Sequence, residues 1–271
     1  MLTVESAGDP ETGRTGAMAP LRFVVLLDPP DLADQLFGPG LAALGATGAE
    51  SLHPTPFTSL DAPEARGALA EADVLITGWG APPLSEAQLQ AAPRLRFVLH
   101  AGGQASHFLP DTIRQRDIQL SNAGWINAIP VAEFTFAMII LANKQAFRTR
   151  NLYRQRRDFI HREAEFPSAG NRGKTIGVVG ASRIGRIVIE RLGDIEVAIK
   201  LYDPYLPAAE ARRLGAQLVS LDELMGSSDI VTLHPPLNAE TTGMITARHL
   251  GLMRNGATLI NTSRGAIVDQ D

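Results

Sequence analysis

Residues 177–186 read GVVGASRIGR, that is Gly177-Val178-Val179-Gly180-Ala181-Ser182-Arg183-Ile184-Gly185-Arg186. An apolar strand pattern, Ile176 to Val179, runs into Gly180, and a helical pattern, Ile184 to Leu192, follows. This is the order of a strand–turn–helix unit whose turn can hold a phosphate. Gly180 allows a tight turn and Gly185 lets helix and strand approach closely. The position between them, which ordinarily carries no side chain, holds Ser182. The stretch is therefore either a phosphate-gripping loop with one substitution or an ordinary glycine-rich turn.

Its surroundings favour the first reading. The backbone N–H groups of Arg183 and Ile184 fall at the amino end of the helix, where unpaired donors and the positive end of the helix dipole suit a pyrophosphate. The Ser182 hydroxyl can itself donate to a phosphate oxygen. Asp203 closes the next strand (IKLYDPY), about twenty residues on, where a carboxylate accepts hydrogen bonds from a ribose diol. The same carboxylate repels a 2′-phosphate, so NAD is expected over NADP. Alone, Asp203 would read as a turn residue before Pro204; together with the loop it points to a dinucleotide.

The rest of the chain alternates in the same way. Apolar runs at Leu21–Asp28, Ala72–Thr77, Leu95–His100 and Ile118–Ser121 predict strands, with helices over DLADQLFGPGLAALG and Ser85–Ala92 between them. A second series follows at Thr175–Val179, Val197–Tyr202, Asp229–Leu233 and Ala257–Asn261, with helices after the first strand and after Leu221. Strands alternating with helices predict an α/β protein with two doubly wound parallel-sheet domains. Between the two series lies a helical segment from about Pro130 to Ala164, apolar at first and basic at its end (Lys144, Arg148, Arg150, Arg154, Arg156, Arg157). With acidic residues nearby and no interleaved aromatics, the basic end reads as a solvated helix face rather than a nucleic-acid surface. The expected division is a flexible tail over 1–20, a substrate domain over 21–126, and an interdomain helix with a cofactor domain over 127–271.

Composition limits the classes that remain. The 271 residues are 45% hydrophobic and 20% charged, with a net charge of −4, which calls for neither nucleic acid nor an anionic membrane. Absence of cysteine excludes disulfides, thiolate metal sites and a cysteine nucleophile, and agrees with a cytoplasmic location. The opening residues lack the apolar core of a signal peptide, and Met18 is an alternative start. The greasiest run, Phe134 to Ala142, falls short of the ~18 residues that a membrane span needs and reads as a buried helix. His100 and His107, seven residues apart with no carboxylate partner, do not make a metal site; His100 and His234 are expected as hydrogen-bonded structural histidines.

Read with the glycine loop, the last third resembles the D-isomer-specific 2-hydroxyacid dehydrogenases. The matching motifs are Arg183-Ile184-Gly185, Asp203-Pro204, Leu233-His234-Pro235-Pro236-Leu237, Leu252-Met253-Arg254-Asn255-Gly256-Ala257 and Leu259-Ile260-Asn261-Thr262-Ser263-Arg264-Gly265, in order. Val131-Ala132-Glu133 is the best marker before them. The resemblance implies a flavodoxin-like substrate domain and a Rossmann NAD-binding domain. It also implies Arg264 as the catalytic arginine, and Pro235, Thr262 and Ser263 at the nicotinamide side. Ala101, Gly102 and Gly103 match the loop whose N–H groups hold the substrate carboxylate, a 2-oxo or 2-hydroxy acid. There the chain departs from the family pattern, continuing Gln104-Ala105-Ser106-His107. Relatives commonly form homodimers through the cofactor domain.

In the family, a glutamate and a histidine further along work with the arginine. The sequence reaches Asp271 before either, so the expectation is a C-terminally incomplete cofactor domain, either prone to aggregate through its last strand or a fragment of a longer product. The expected activity is hydride transfer between NADH and a 2-oxo acid. The alternative is an NAD-binding regulatory or scaffold protein without turnover, similar to corepressors built on this fold.

Overall fold

The computed structural model describes residues 19–103, 105 and 108–270. The expected tail through residue 18, together with Gln104, Ser106 and His107, lies outside the described residues. The chain forms two compact units, one ending at Ala123 and the other beginning at Gly124.

The first unit is built on β1 (Arg22–Leu26), β2 (Glu50–Ser51), β3 (Val74–Thr77), β4 (Phe97–His100) and β5 (Gln119–Asn122), all parallel, in the order β2-β1-β3-β4-β5. This is the flavodoxin-like strand order, which switches direction between β1 and β3. Those strands are continuous apolar runs because both faces are covered. Val24, Leu26, Leu75 and Val98 enter the core on one face, and Phe23, Val25, Val74 and Ile76 the core on the other.

The second unit carries β6 (Lys174–Val179), β7 (Val197–Tyr202), β8 (Gln217–Leu218), β9 (Ile230–Leu233) and β10 (Thr258–Asn261), again all parallel, in the order β10-β9-β6-β7-β8. Central β6 pairs with β7 on one side and β9 on the other, so the loops after β6 and β9 part company at their carboxyl ends. That crevice is where open α/β sheets bind ligands. Here too each face has its own core, one around Ile176, Val178 and Ile189, the other around Val179, Leu224 and Val231. The two-residue edge strands β2 and β8, and the helices Pro63–Glu71, Ala208–Arg213 and Ala247–Leu252, went unread in the sequence. The edge strands are too short to show a period, and these helices lack a strong apolar stripe.

The segment expected as one helix from Pro130 to Ala164 is instead three helices, Gly124–Asn143, Ala146–Arg156 and Arg162–Glu165. Two left-handed residues break it, Gln145 at φ 54° and Arg157 at φ 52°. The apolar run is also not buried throughout. Ala128, Ala132, Thr135, Ile139 and Asn143 face inward at helical spacing, while Trp125, Ile126, Ile129, Phe134 and Leu141 are exposed. Length and apolarity alone would let this 20-residue helix cross a membrane, but Ala132 and Ile139 are built into the core beside Ile176. No residue of the basic helix Ala146–Arg156 is buried; Arg148 lies over the Phe166 ring and Arg156 pairs with Glu165.

Candidate functional site

Four loops meet at the carboxyl ends of β6, β7, β9 and β10. In the first, Gly180 stands at φ 91°, a conformation that disfavours any side chain. A Cβ there would also lie 2.9 Å from the Pro235 nitrogen, and one on Gly185 would lie 2.1 Å from the Gly180 carbonyl oxygen. Both glycines are therefore required by the path of the backbone. Ser182 is not constrained in that way: at φ −64° and ψ −179° it is ordinary extended backbone. Its hydroxyl oxygen caps the helix Arg183–Leu192, accepting from the Gly185 N–H at 3.4 Å. Among the described residues, nothing accepts from the N–H groups of Ser182, Arg183 or Ile184.

Asp203 follows β7 and reaches back to this loop. Its Oδ2 accepts from the Ala181 N–H at 2.8 Å and its Oδ1 from the Tyr205 N–H at 2.9 Å. Each oxygen keeps a lone pair for a further donor. Gly180, Ser182, Asp203 and Pro235 line a cleft of about 550 Å³, joined by Arg186, Tyr205, Asn238, Glu240, Thr241 and Met244. The glycine cradle, the free N–H groups and the anchored carboxylate fit the pyrophosphate and ribose of a dinucleotide.

The loop after β10 is clasped to this wall. Ser263 Oγ donates to the Pro235 carbonyl at 2.7 Å. Thr135 spends its proton on the Val131 carbonyl at 2.8 Å, so Thr262 donates to the Thr135 hydroxyl at 2.9 Å and ties the loop to the long helix. Arg264 is exposed, with Nη1 donating to the Ser263 carbonyl at 3.1 Å, and among the described residues it pairs with no carboxylate. Its guanidinium keeps most of its donors for an anionic ligand.

His234, beside Pro235, is buried, and burial pushes its pKa down to about 4. One ring nitrogen, Nε2, pairs with the Thr232 hydroxyl at 3.0 Å; among the described residues Nδ1 has no partner, so only half of the expected hydrogen bonding is present there. Arg183 lays its guanidinium over the Trp125 ring, 4.9 Å from the centroid. Trp79 and Trp125 are both more than half exposed, so neither fills a core.

In the first unit, Ala101, Gly102 and Gly103 follow β4 at its carboxyl end. Gly102 has no room for a side chain, since a Cβ would lie 2.4 Å from His100 Nε2. His100 is buried, with Nδ1 2.8 Å from the Thr77 hydroxyl. Among the described residues nothing accepts from the Gly102 and Gly103 N–H groups.

Sequence reading missed Arg186, Tyr205 and Glu240. Arg186 and Tyr205 flank motifs it had used, but Glu240 comes from a loop with no phosphate-binding pattern.

Fold and cleft together define a two-unit α/β protein of the dinucleotide-binding class. The model for the NAD binding domain of D-isomer specific 2-hydroxyacid dehydrogenases matches residues 136–271, half of the chain. The chain belongs to the D-isomer specific 2-hydroxyacid dehydrogenase family, and its cofactor is NAD. It is 30% identical over 239 residues to D-3-phosphoglycerate dehydrogenase of Mycobacterium tuberculosis (strain ATCC 25618 / H37Rv), covering 88% of this chain and 44% of that protein. It thus spans less than half the length of such relatives. It is also 30% identical over 197 residues to glyoxylate reductase of Korarchaeum cryptofilum, covering 69% of this chain and 57% of that one. Among solved structures, D-lactate dehydrogenase from Aquifex aeolicus, complexed with NAD and lactic acid, superposes with a TM-score of 0.71 at 25% identity, over 91% of this chain and 70% of that one.

Proposed function

We propose that the protein is an NAD-dependent oxidoreductase that interconverts a 2-oxo acid and a D-2-hydroxy acid. The observation that carries this is the joined wall of the cleft, in which the Gly180 cradle abuts Pro235 and Pro235 is clasped by Ser263, next to Arg264. When bound, the nicotinamide supplies or accepts the hydride. This chain's part is to hold the dinucleotide and the acid. Ser182, Arg183 and Ile184 would offer N–H groups to the pyrophosphate and Asp203 would hold the ribose. Arg264 would grip the substrate carboxylate and polarise the neighbouring carbonyl as negative charge grows on its oxygen. Reduction needs one hydride at carbon and one proton at oxygen; in relatives a histidine beyond the arginine gives that proton.

The test offers glyoxylate, pyruvate and hydroxypyruvate with NADH to the full-length protein and follows nicotinamide absorbance. Loss of absorbance is expected, with Arg264→Lys slower by roughly a hundredfold or more because lysine cannot present a planar fork. No turnover of any acid, with NADH bound, would favour the second reading: dinucleotide binding without catalysis. That reading draws support from two histidines of the second unit. His234 is buried and neutral, and His249 spends Nδ1 on Thr246 while Nε2 sits 3.6 Å from Asp222.

We further infer a homodimer, in the cytoplasm, assembled through the exposed apolar side of the helix Gly124–Asn143. Ile126 is 74% exposed and Phe134 59%, a surface that a partner copy would cover. Light scattering should give twice the chain mass, and Ile126→Glu with Phe134→Glu should give the single mass.

A further inference from the structure

The cofactor cleft carries a charge arrangement that the glycine loop and Asp203 do not account for. Tyr205 follows Pro204, gives its N–H to Asp203, and sends its ring away from β7 with 77% of its surface exposed. Packing does not hold the ring there. Its hydroxyl donates to the carboxylate of Glu240, which comes from the loop after β9. Acceptance by Glu240 raises the phenol's pKa, keeping it a donor. The loop that presents Glu240 is itself braced: the Glu240 and Thr241 N–H groups donate to Asn238 Oδ1 at 2.9 and 3.0 Å, and Asn238 N–H donates to Thr241 Oγ1 at 2.9 Å. Two loops on opposite sides of β6 are thereby bridged, and both bridge residues line the cleft together with Asp203.

The remaining charged group on that wall is Arg186, the natural ligand for an extra phosphate. It is already committed. Its Nε donates to the Ala181 carbonyl at 2.9 Å and its Nη1 pairs with Glu210 at 2.7 Å. The cleft therefore presents two carboxylates and a cation whose charge is matched.

We propose that Glu240, held in place by Tyr205, is a second determinant of cofactor choice, acting with Asp203 to turn away dinucleotides that carry a 2′-phosphate. Both bridge residues line the cleft, so the bridge slows release of a bound dinucleotide. This rests on the dinucleotide occupying the cleft, which a wild-type titration with NADH checks separately.

The experiment measures dissociation constants of NADH and NADPH by calorimetry, and NADH release by stopped-flow fluorescence. Glu240→Gln keeps an acceptor for the tyrosine and removes the charge. It should tighten NADPH by roughly three- to tenfold while NADH changes little, the scale expected for one screened charge near a divalent phosphate. Tyr205→Phe keeps the ring and frees Glu240, and should speed NADH release by roughly threefold to tenfold. Asp203→Ser with Glu240→Gln should improve NADPH binding more than either change alone. An unchanged NADPH-to-NADH ratio in Glu240→Gln, in protein that melts like wild type, overturns the role of the charge; unchanged release in Tyr205→Phe overturns the bridge. If wild-type protein binds neither nucleotide, it is the occupancy of the cleft that has failed.

Discussion

Gly180, Ser182 and Gly185 differ in what they can lose. A methyl on Gly185 would meet a carbonyl oxygen at 2.1 Å, and neither backbone can move without breaking the turn. Gly185→Ala is expected to destabilise by roughly 2–3 kcal/mol and abolish NADH binding; an unaltered melting temperature would count against this. Ser182→Gly should keep NADH affinity but lose about 0.5 kcal/mol of helix capping. His234 supplies a pH dependence. The unfolded chain takes up its proton near 6.5, the native one only near 4, so acid favours unfolding between these values. The contribution is intact above 6.5 and lost by about 4, on the order of 3 kcal/mol in all. Melting scans from pH 7 to 4.5 should fall less steeply for His234→Gln, whose amide can still meet Thr232. At this scale the sequence was informative about backbone demands, since glycine spacing encodes them directly. It was blind to Glu240, which sits some forty residues from Asp203 by chain and joins it only through folding.

Helices were harder to bound than strands. Central strands such as β3 and β9 are buried on both faces and announce themselves as short apolar runs. The breaks in the expected long helix left no such mark, because Gln145 and Arg157 adopt left-handed backbone without being glycine or asparagine. Arg157 ends its helix with its N–H on the Tyr153 carbonyl, the position that glycine favours. Arg157→Gly is therefore expected to raise stability by about 0.5–1 kcal/mol, read as a higher denaturant midpoint, whereas glycine at Arg150 within the same helix should lower it by about as much. The Thr135–Thr262 hydroxyl pair anchors the loop bearing Arg264 to a helix far away in sequence. Thr135→Val should cost about 1 kcal/mol, checked by chemical denaturation.

At the scale of the molecule, the alternation of strand and helix was enough to predict two doubly wound sheets, and both are present. Strand order was less accessible: it depends on which side of β6 each crossover lands, and the right-handed rule narrows the choices without naming one. All described residues lining the cofactor cleft lie between Val179 and Met244. The second unit also has a core on each face of its sheet. Residues 124–271 prepared alone should therefore bind NADH within about threefold of the whole chain. Calorimetry on both preparations decides this, and binding confined to the whole chain would refute it.

The indole of Trp125, resting on the guanidinium of Arg183, makes the protein its own spectroscopic probe. The chain has just two tryptophans, so Trp79→Phe leaves a single emitter, stacked on Arg183 at the start of the phosphate-facing helix. The reduced nicotinamide of NADH absorbs where indole emits, and its occupancy of the cleft should dim that lone emitter and register any withdrawal of the cation from its ring.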